Sequence, residues 1–247
     1  MDKGEIFTAL QSGTLKLEGQ FIYGSNYTFM TSCRYKGKAF KTVYKPVRGE
    51  RPLWDFPDQT LAHREVAAFL VSEALGWELV PPTVFRKKGG PMGSGSIQLF
   101  IEHDPDLHYF NFSEEQKQYL PQVMLFDLLI NNADRKAGHL LFNPEGELFL
   151  IDHGLSFHVE DKLRTVVWDN AGEPIPVELL DDVNKIIPKT LENTSHVSAG
   201  EKLHTALEPH LSSAEIAALQ NRAQGLLAAK VFPLPPEDRR AYPWPLV

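Results

Sequence analysis

The sequence predicts an α+β protein with a small antiparallel β-rich lobe at residues 14–101 and a larger, mainly helical lobe at residues 102–247. The first part alternates short apolar runs with glycine and proline turns, as strands do. The second part carries helix-capping signals and helical spacing of apolar residues. With 43% hydrophobic residues, the 247-residue chain has the composition of a globular protein that buries a core.

Composition and charge exclude several classes of protein. The chain has 25 Lys and Arg residues against 32 Asp and Glu residues, a net charge of −7, so we expect no nucleic-acid partner. A single cysteine, Cys33, excludes an internal disulfide. The first thirteen residues show no secretory pattern, and no apolar run is long enough to span a bilayer. We therefore expect a soluble cytoplasmic protein without integral membrane association.

The small lobe begins with a turn-rich run at residues 21–30. A tight turn at Lys36–Lys38 then leads into a strand at Ala39–Lys45, so two or three antiparallel strands are predicted. Between Arg34 and Arg51 the chain has seven basic residues and one acidic residue, a local charge of +6 in an acidic protein. Such a segment suits an anionic ligand.

One helix and two further strands complete the small lobe. Helical spacing predicts a helix over Leu61–Leu75, with Thr60 as its N-cap and Gly76 as its C-terminal stop. Short strands follow at Thr83–Arg86 and Ser96–Ile101, and residues 98–102 join the two lobes.

The large lobe is predicted from its caps and turns. A capping box at Ser113–Gln116 opens one long helix to about Asn131. Strands at Leu140–Phe142 and Leu148–Ile151 flank a turn and form a hairpin. A second capping box at Ser212–Glu215 opens a helix to about Lys230, and the tail at residues 233–247 has five prolines and is expected to be irregular.

Two aspartates flank the hairpin. Asp134 follows the long helix, and Asp152 follows the apolar strand 18 residues later. Such a pair suits phosphoryl transfer, in which one carboxylate orients the attacking hydroxyl and the other holds a metal ion on the nucleotide phosphates. The alternative is that both carboxylates only cap turns. Because Asp152 ends a buried strand, its charge needs a cation or strong hydrogen bonds, which favours the first interpretation.

The small lobe offers the complementary cation. Strand alternation places Val43 and Lys45 on one face, although Lys45 could also be an ordinary solvated lysine. Glu65 lies among apolar neighbours on its helix and needs a cationic partner, for which Lys45 is the candidate. Asp127, similarly placed in the long helix, is expected to be a structural carboxylate or to support the site without contacting the ligand.

These motifs resemble the atypical kinases of the phosphatidylinositol 3-/4-kinase superfamily, most nearly type II phosphatidylinositol 4-kinases and uncharacterised bacterial proteins related to them. The matching segments are Asp127–Arg135, Ile151–Phe157 and Gly24–Phe29, and the resemblance covers residues 20–160. It implies a single kinase-like domain over residues 1–247 with a two-lobed protein-kinase-like fold.

The resemblance also implies roles for individual residues. Asp134 and Arg135 are the implied catalytic residues. Asp134 would orient or deprotonate the acceptor hydroxyl, and Asp152 would bind Mg²⁺ or Mn²⁺. The ATP phosphates would contact Lys45, paired with Glu65, and a second, phosphate-covering hairpin in the small lobe. The residues of this second hairpin are Gly24, Ser25 and Asn26. The adenine would lie against Leu99, Phe100 and Ile101.

One position departs from the family pattern. Five residues after the catalytic aspartate these kinases carry a metal-binding asparagine, where this chain has His139. Imidazole suits transition metals better than Mg²⁺, so His139 implies a manganese preference, a single-metal site or a weakened enzyme. His153 is likewise a candidate metal ligand. The alternative is that it hydrogen-bonds the backbone of the hairpin.

Three functions follow from these residues. The first is an ATP-dependent kinase acting on an unidentified hydroxyl acceptor, which is a protein serine or threonine, a small molecule or an inositol lipid. The second is a nucleotide-binding pseudokinase that acts as a scaffold. The third is a metal-dependent phosphohydrolase that uses the two aspartates and two histidines, which leaves Lys45 and Glu65 unexplained.

Overall fold

The computed structural model of the chain describes residues 1–22, 26–188 and 197–247. The helices are α1 (Lys3–Ser12), α2 (Leu61–Leu75), α3 (Glu114–Lys117), α4 (Leu120–Ile130), α5 (Val177–Lys185), α6 (Ala199–Leu207) and α7 (Ser213–Ala229). The strands are β1 (Thr14–Phe21), β2 (Thr28–Tyr35), β3 (Lys38–Pro46), β4 (Thr83–Arg86), β5 (Gly95–Leu99), β6 (Leu140–Phe142) and β7 (Leu148–Leu150). The predicted α+β architecture of two lobes is confirmed.

The small lobe is built on one antiparallel sheet with the strand order β1-β2-β3-β5-β4. The turn between β2 and β3 uses left-handed backbone at Lys36 and Gly37 (φ 46° and 77°), as expected from its sequence. Strands β4 and β5 lie where the two further strands were predicted, and β1 is the strand of this sheet that was not predicted. Most of β1 is exposed, although Leu15, Leu17 and Phe21 alternate with polar residues along it, the sequence pattern of a half-buried strand. Helix α1 was also missed.

Helix α2 has the predicted bounds but a different cap. Thr60 makes no capping hydrogen bond; instead the carboxylate of Glu50 accepts the N–H groups of Leu61 (3.1 Å) and Ala62 (2.9 Å). Gly76 ends the helix in left-handed conformation (φ 74°), as predicted. The loop after β3 therefore fixes the start of α2 by a long-range contact in place of a local one.

The long helix predicted from Ser113 is interrupted. The capping box is present, but α3 ends at Lys117 and α4 begins at Leu120. Pro121 lies in the first turn of α4 and has no N–H to continue a helix from α3. Nearly all of α4 is buried, in the centre of the large lobe.

The rest of the large lobe follows the predicted pattern. Strands β6 and β7 form the hairpin, and Ser212 and Glu215 form the capping box of α7. The proline-rich tail forms no regular helix or strand, yet it packs on the lobe: the carbonyl of Ala241 accepts the N–H of Thr165 at 3.1 Å. The tail is thus part of the tertiary structure.

The main hydrophobic core lies in the large lobe and reaches α2. It includes Phe69 and Val71 of α2 with Phe126 and Leu129 of α4, all with no more than 3% exposure. No helix within residues 1–22, 26–188 and 197–247 has both the length and the apolar character needed to cross a membrane.

Candidate functional site

A cavity of about 320 Å³ lies between the two lobes. Its walls come from β3, α2, the joint after β5, and the loops before and after the β6–β7 hairpin. The lining includes Val43, Lys45, Glu65, Leu99, Phe100, Ile101, Asp134, His139, Ile151 and Asp152. Most of the residues singled out in the sequence therefore meet in one place.

Lys45 lines this cavity and contacts carboxylates of both lobes. Its ammonium group hydrogen-bonds the carboxylate of Glu65, the predicted partner, and also Oδ1 of Asp152 at 2.8 Å. Burial alone would lower the pKa of Lys45, but the two facing carboxylates raise it above its ordinary value. Burial raises the pKa of Glu65 despite the Lys45 contact. Lys45 is charged at neutral pH and is shared between the lobes.

Asp152 lies two residues after strand β7, in an unusual conformation. Its φ of 61° lies in the left-handed region, which non-glycine residues adopt rarely and mainly at functional sites. The positive charge of Lys45 holds its pKa well below the usual range for an aspartate. About half of its side chain is exposed to the cavity side, so this carboxylate is ionised and accessible.

Asp134 follows α4 through a tight turn. Asn131 is the helix C-cap in left-handed conformation, and Oδ1 of Asn132 accepts the N–H of Asp134 at 3.0 Å. Burial raises the pKa of Asp134 to about 6, although the ammonium of Lys136, 3.3 Å from Oδ2, acts in the opposite direction. A carboxylate with this pKa accepts a proton more readily than an ordinary aspartate.

Arg135 does not have the position expected of a catalytic residue. It is fully buried and does not line the cavity. Its guanidinium forms a paired contact with Asp127 (3.0–3.1 Å) and also bonds the carbonyl of Ile151 at 2.9 Å and Nε2 of His153 at 2.9 Å. Arg135 therefore positions the segment around Asp152, and no contact with the cavity supports its predicted place among the catalytic residues.

His139 faces Asp152, with Nε2 3.5 Å from Oδ2. Burial lowers the pKa of His139 to about 4, so the ring is neutral. The N–H of Lys136 points at Nδ1 over 3.4 Å, which favours the proton on Nε2. His139 would have to move this proton to Nδ1 before Nε2 could bind a metal ion.

The donor set at the cavity fits a divalent cation through oxygen. Asp152 supplies an ionised, accessible carboxylate, which is a ligand that Mg²⁺ and Mn²⁺ accept. In the described part of the chain no three His, Cys, Asp or Glu side chains cluster closely enough to hold a metal ion by themselves. A cation at Asp152 would thus complete its coordination with a ligand's oxygens and water.

The joint residues and the segment before β2 also line the cavity. At the joint, the N–H of Leu99 bonds the carbonyl of Pro82 (2.9 Å) and that of Phe100 bonds the carbonyl of Lys41 (3.2 Å), so both serve the backbone structure of the small lobe. Gly24 and Ser25, expected to cover phosphates, lie outside the described residues. Asn26 lines the cavity, and its Oδ1 accepts the N–H of Arg51 at 2.8 Å.

The sequence did not reveal two supports of the site. Glu50, which also lines the cavity, caps the helix that carries Glu65. The carbonyl of Leu246 accepts the N–H of Ala137 at 2.8 Å, so the tail contacts the loop between Asp134 and His139. Glu50 lies 11 residues before Leu61 and Leu246 lies 109 residues after Ala137, so no pattern of neighbouring residues marks either contact.

Comparison with known proteins identifies related sequences. The family model described as phosphatidylinositol 3- and 4-kinase matches residues 59–214. The chain is 40% identical to Protein Rv2133c of Mycobacterium tuberculosis, with 96% of this chain and 93% of that protein covered. It is 30% identical to phosphatidylinositol 4-kinase gamma 4 of Oryza sativa subsp. japonica over 47% of this chain and 24% of the plant protein. The chain thus spans about a quarter of that plant relative's length.

Solved structures show the same fold at low sequence identity. The Golgi casein kinase with Mn/ADP bound superposes with a TM-score of 0.55 and 16% identity, covering 99% of this chain and 80% of that one. At this identity the likeness concerns the fold alone, which is the two-lobed kinase-like fold.

Proposed function

We propose that this chain, which belongs to the phosphatidylinositol 3- and 4-kinase family, is a phosphotransferase that uses ATP and transfers its γ-phosphate to a hydroxyl acceptor. One observation carries the proposal: Lys45 contacts both Glu65 and Asp152 in a cavity that also contains Asp134. A lysine shared between a helix carboxylate and a candidate metal-binding aspartate is the arrangement that nucleotide phosphates require.

The nucleotide would lie along the cavity with its base at the joint. Of the three joint residues we assign the base edge to Ile101, because Leu99 and Phe100 already use their N–H groups. Lys45 would hold the α- and β-phosphates once it leaves Asp152, while Glu65 keeps its ammonium in place. Asn26 and the predicted residues Gly24 and Ser25 would cover the phosphates.

Asp152 would hold a divalent cation, Mg²⁺ or Mn²⁺, against the nucleotide. When bound, the cation neutralises charge on the phosphates and lowers the barrier to their transfer. The similar fold of the Golgi casein kinase, which is described with Mn/ADP bound, supports a nucleotide with manganese. His139 is a second candidate ligand that favours Mn²⁺ over Mg²⁺ once its proton moves to Nδ1.

Asp134 would orient the acceptor hydroxyl and accept its proton. With a pKa of about 6 it is ionised at neutral pH and still basic enough to take a proton. Lys136 contacts the carboxylate, and Asn132 holds the backbone of Asp134 through its N–H group. The acceptor itself stays open between a protein hydroxyl, a small alcohol and the inositol lipid suggested by the names of the plant relatives.

The two other functions make different demands on the site. A metal-dependent phosphohydrolase would need a preformed metal cluster, and the described residues contain none. A pseudokinase scaffold would bind nucleotide without turnover, and the replacement of the expected asparagine by His139 favours it as the second candidate.

The direct test measures nucleotide binding and ATP turnover in one set of variants. Titration calorimetry with ADP and Mn²⁺ or Mg²⁺ should show binding by the wild-type chain, and an ATP-consumption assay should show turnover. Asp152→Asn should reduce turnover by about 100-fold or more, because it removes the charge that holds the cation. Asp181→Asn, an exposed change on α5, is the matched control.

Each alternative predicts a distinct result. Binding without turnover in the wild type would select the scaffold. No nucleotide binding with either metal would refute both the kinase and the scaffold. Wild-type turnover in Asp152→Asn would remove Asp152 from the site.

A further inference from the structure

His153 is a fully buried histidine placed between the two lobes. Its Nε2 lies 2.9 Å from Nη2 of Arg135, and its backbone N–H donates to Oε2 of Glu65 at 3.1 Å. Glu65 in turn holds Lys45. A continuous chain of polar contacts thus runs from Asp127 in α4 through Arg135 and His153 to the cavity.

The contact with Arg135 determines which nitrogen of His153 carries the proton. A guanidinium only donates hydrogen bonds, so Nε2 must accept and the proton must lie on Nδ1. Arg135 cannot turn away easily, because its Nε and Nη2 also bond the carboxylate of Asp127. The pair formed by Asp127 and Arg135 therefore selects the Nδ1–H form of His153.

This Nδ1–H group has no hydrogen-bond partner in the described part of the chain. Its nearest carboxylate oxygen is Oε2 of Glu65, 4.0 Å from Nδ1. A buried donor without an acceptor is costly and requires an explanation. A shift of about 1 Å between α2 and the large lobe would bring the pair to the usual hydrogen-bond distance of about 3 Å.

Movement of Lys45 from Asp152 to a bound nucleotide would give a reason for such a shift. Lys45 now bonds Asp152 as well as Glu65, and this link occupies the carboxylate that a metal ion would need. If Lys45 moves to nucleotide phosphates, Glu65 must stay fixed without the help of Asp152. The donor best placed to fix it is Nδ1–H of His153.

We infer that His153 is a positioning residue: when nucleotide binds, its Nδ1–H donates to Glu65 and holds Glu65 and Lys45 against the phosphates. This inference rests on the proposed nucleotide site. His153 contacts neither nucleotide nor acceptor and acts only through Glu65. Its effect should therefore appear in nucleotide affinity and should depend on the presence of the Glu65 carboxylate.

The tautomer is tested directly in the wild-type chain. Proton–nitrogen NMR spectra of histidine-labelled protein, with His153 assigned by its loss in His153→Gln, should show the Nδ1–H form before ligand is added. Addition of ADP with Mg²⁺ should move the Nδ1 proton downfield, as expected for a new bond to a carboxylate. A proton on Nε2, or an unchanged signal in the bound state, would overturn the inference.

Two substitutions separate the two ring nitrogens. His153→Gln places an acceptor near Nε2 for Arg135 and loses the donor to Glu65, whereas His153→Asn keeps a donor near Nδ1. We expect His153→Gln to weaken ADP binding by about tenfold, as for the loss of a hydrogen bond to a charged group. His153→Asn should weaken ADP binding less. His204→Gln, on the surface of α6, is the control and should bind as the wild type does.

A double-mutant cycle with Glu65→Met, which removes the acceptor, then decides how His153 acts. If it acts through Glu65, adding His153→Gln to Glu65→Met should cause no further loss of ADP affinity. Independent, additive losses in folded variants would show a merely structural role and refute the inference. Failure of the wild type to bind ADP would instead refute the proposed function and this inference together, so the two failures are distinguishable.

Discussion

Two ion pairs, Arg135 with Asp127 and Lys45 with Glu65, differ in their exposure and in their contact with the cavity. Arg135 and Asp127 are both completely inaccessible, and Asp127 also accepts hydrogen bonds from Asn132 (3.1 Å) and Thr165 (3.0 Å). Lys45 is 20% exposed and faces both the buried Glu65 and the half-exposed Asp152. The first pair has its contacts satisfied within the protein. The second faces the cavity through Asp152, so exposure distinguishes the proposed ligand-binding pair from the structural one.

Removal of Arg135 should have the largest effect on stability. Arg135→Leu leaves the carboxylate of Asp127 buried without a cation, which should lower the free energy of unfolding by about 3–5 kcal/mol. Urea unfolding followed by circular dichroism measures this loss. Arg239→Leu, which breaks a partly exposed pair with Asp161, is the control and should cost about 1 kcal/mol or less. A stable Arg135→Leu protein that lacks turnover would return Arg135 to the catalytic residues.

Removal of Lys45 should affect activity more than stability. Lys45→Met should reduce ATP turnover by about 100-fold, the usual loss for one preorganised charged donor. The free energy of unfolding should fall by less than about 2 kcal/mol, because Glu65, whose pKa burial already raises, can take up a proton. Lys41→Met, on the same strand and paired with Glu102 at the surface, should preserve turnover. Equal losses of stability in Lys45→Met and Arg135→Leu would contradict the contrast between the pairs.

The smallest expected effect concerns the pH dependence of Asp134. Since its pKa is about 6 and the ionised form accepts the proton, kcat/KM should fall as the pH drops through 6. Lys136→Met removes a nearby cation, raises this pKa and moves the acid limb to higher pH. We expect a loss at pH 6, relative to pH 8, of at most about fivefold beyond that of the wild type, typical of a partly exposed ion pair. Lys185→Met, far from the site on α5, should leave the profile unchanged, and an unshifted limb in Lys136→Met would exclude Asp134 as the titrating group.

Local patterns in the sequence account for much of the fold. The two capping boxes, the glycine after α2 and the hairpin turn were all found at their predicted positions, because each depends on residues a few positions apart. The Lys45–Glu65 pair was also predicted, since a carboxylate on an apolar helix face requires a cation. The roles of Asp134, Asp152 and the joint residues stay predictions, although the structure places them around one cavity.

Other features depended on contacts that no local pattern records. Arg135 was predicted as catalytic from its place in the family-like motif, but its burial against Asp127 is visible only in three dimensions. The same holds for the Glu50 cap on α2 and for the contact of the Leu246 carbonyl with the loop between Asp134 and His139. Proline content predicts correctly that the tail is irregular, yet it does not show what the tail contacts.

The sequence by itself determined the α+β class, most of the elements and the set of charged residues suited to a phosphate ligand. These follow from periodicity, caps and turns, whose energies arise between neighbours in the chain. Only the tertiary structure decided which charges are exposed and which are sealed in the interior. That distinction depends on desolvation by residues distant in sequence, and it separates the sealed Arg135 from the accessible Lys45.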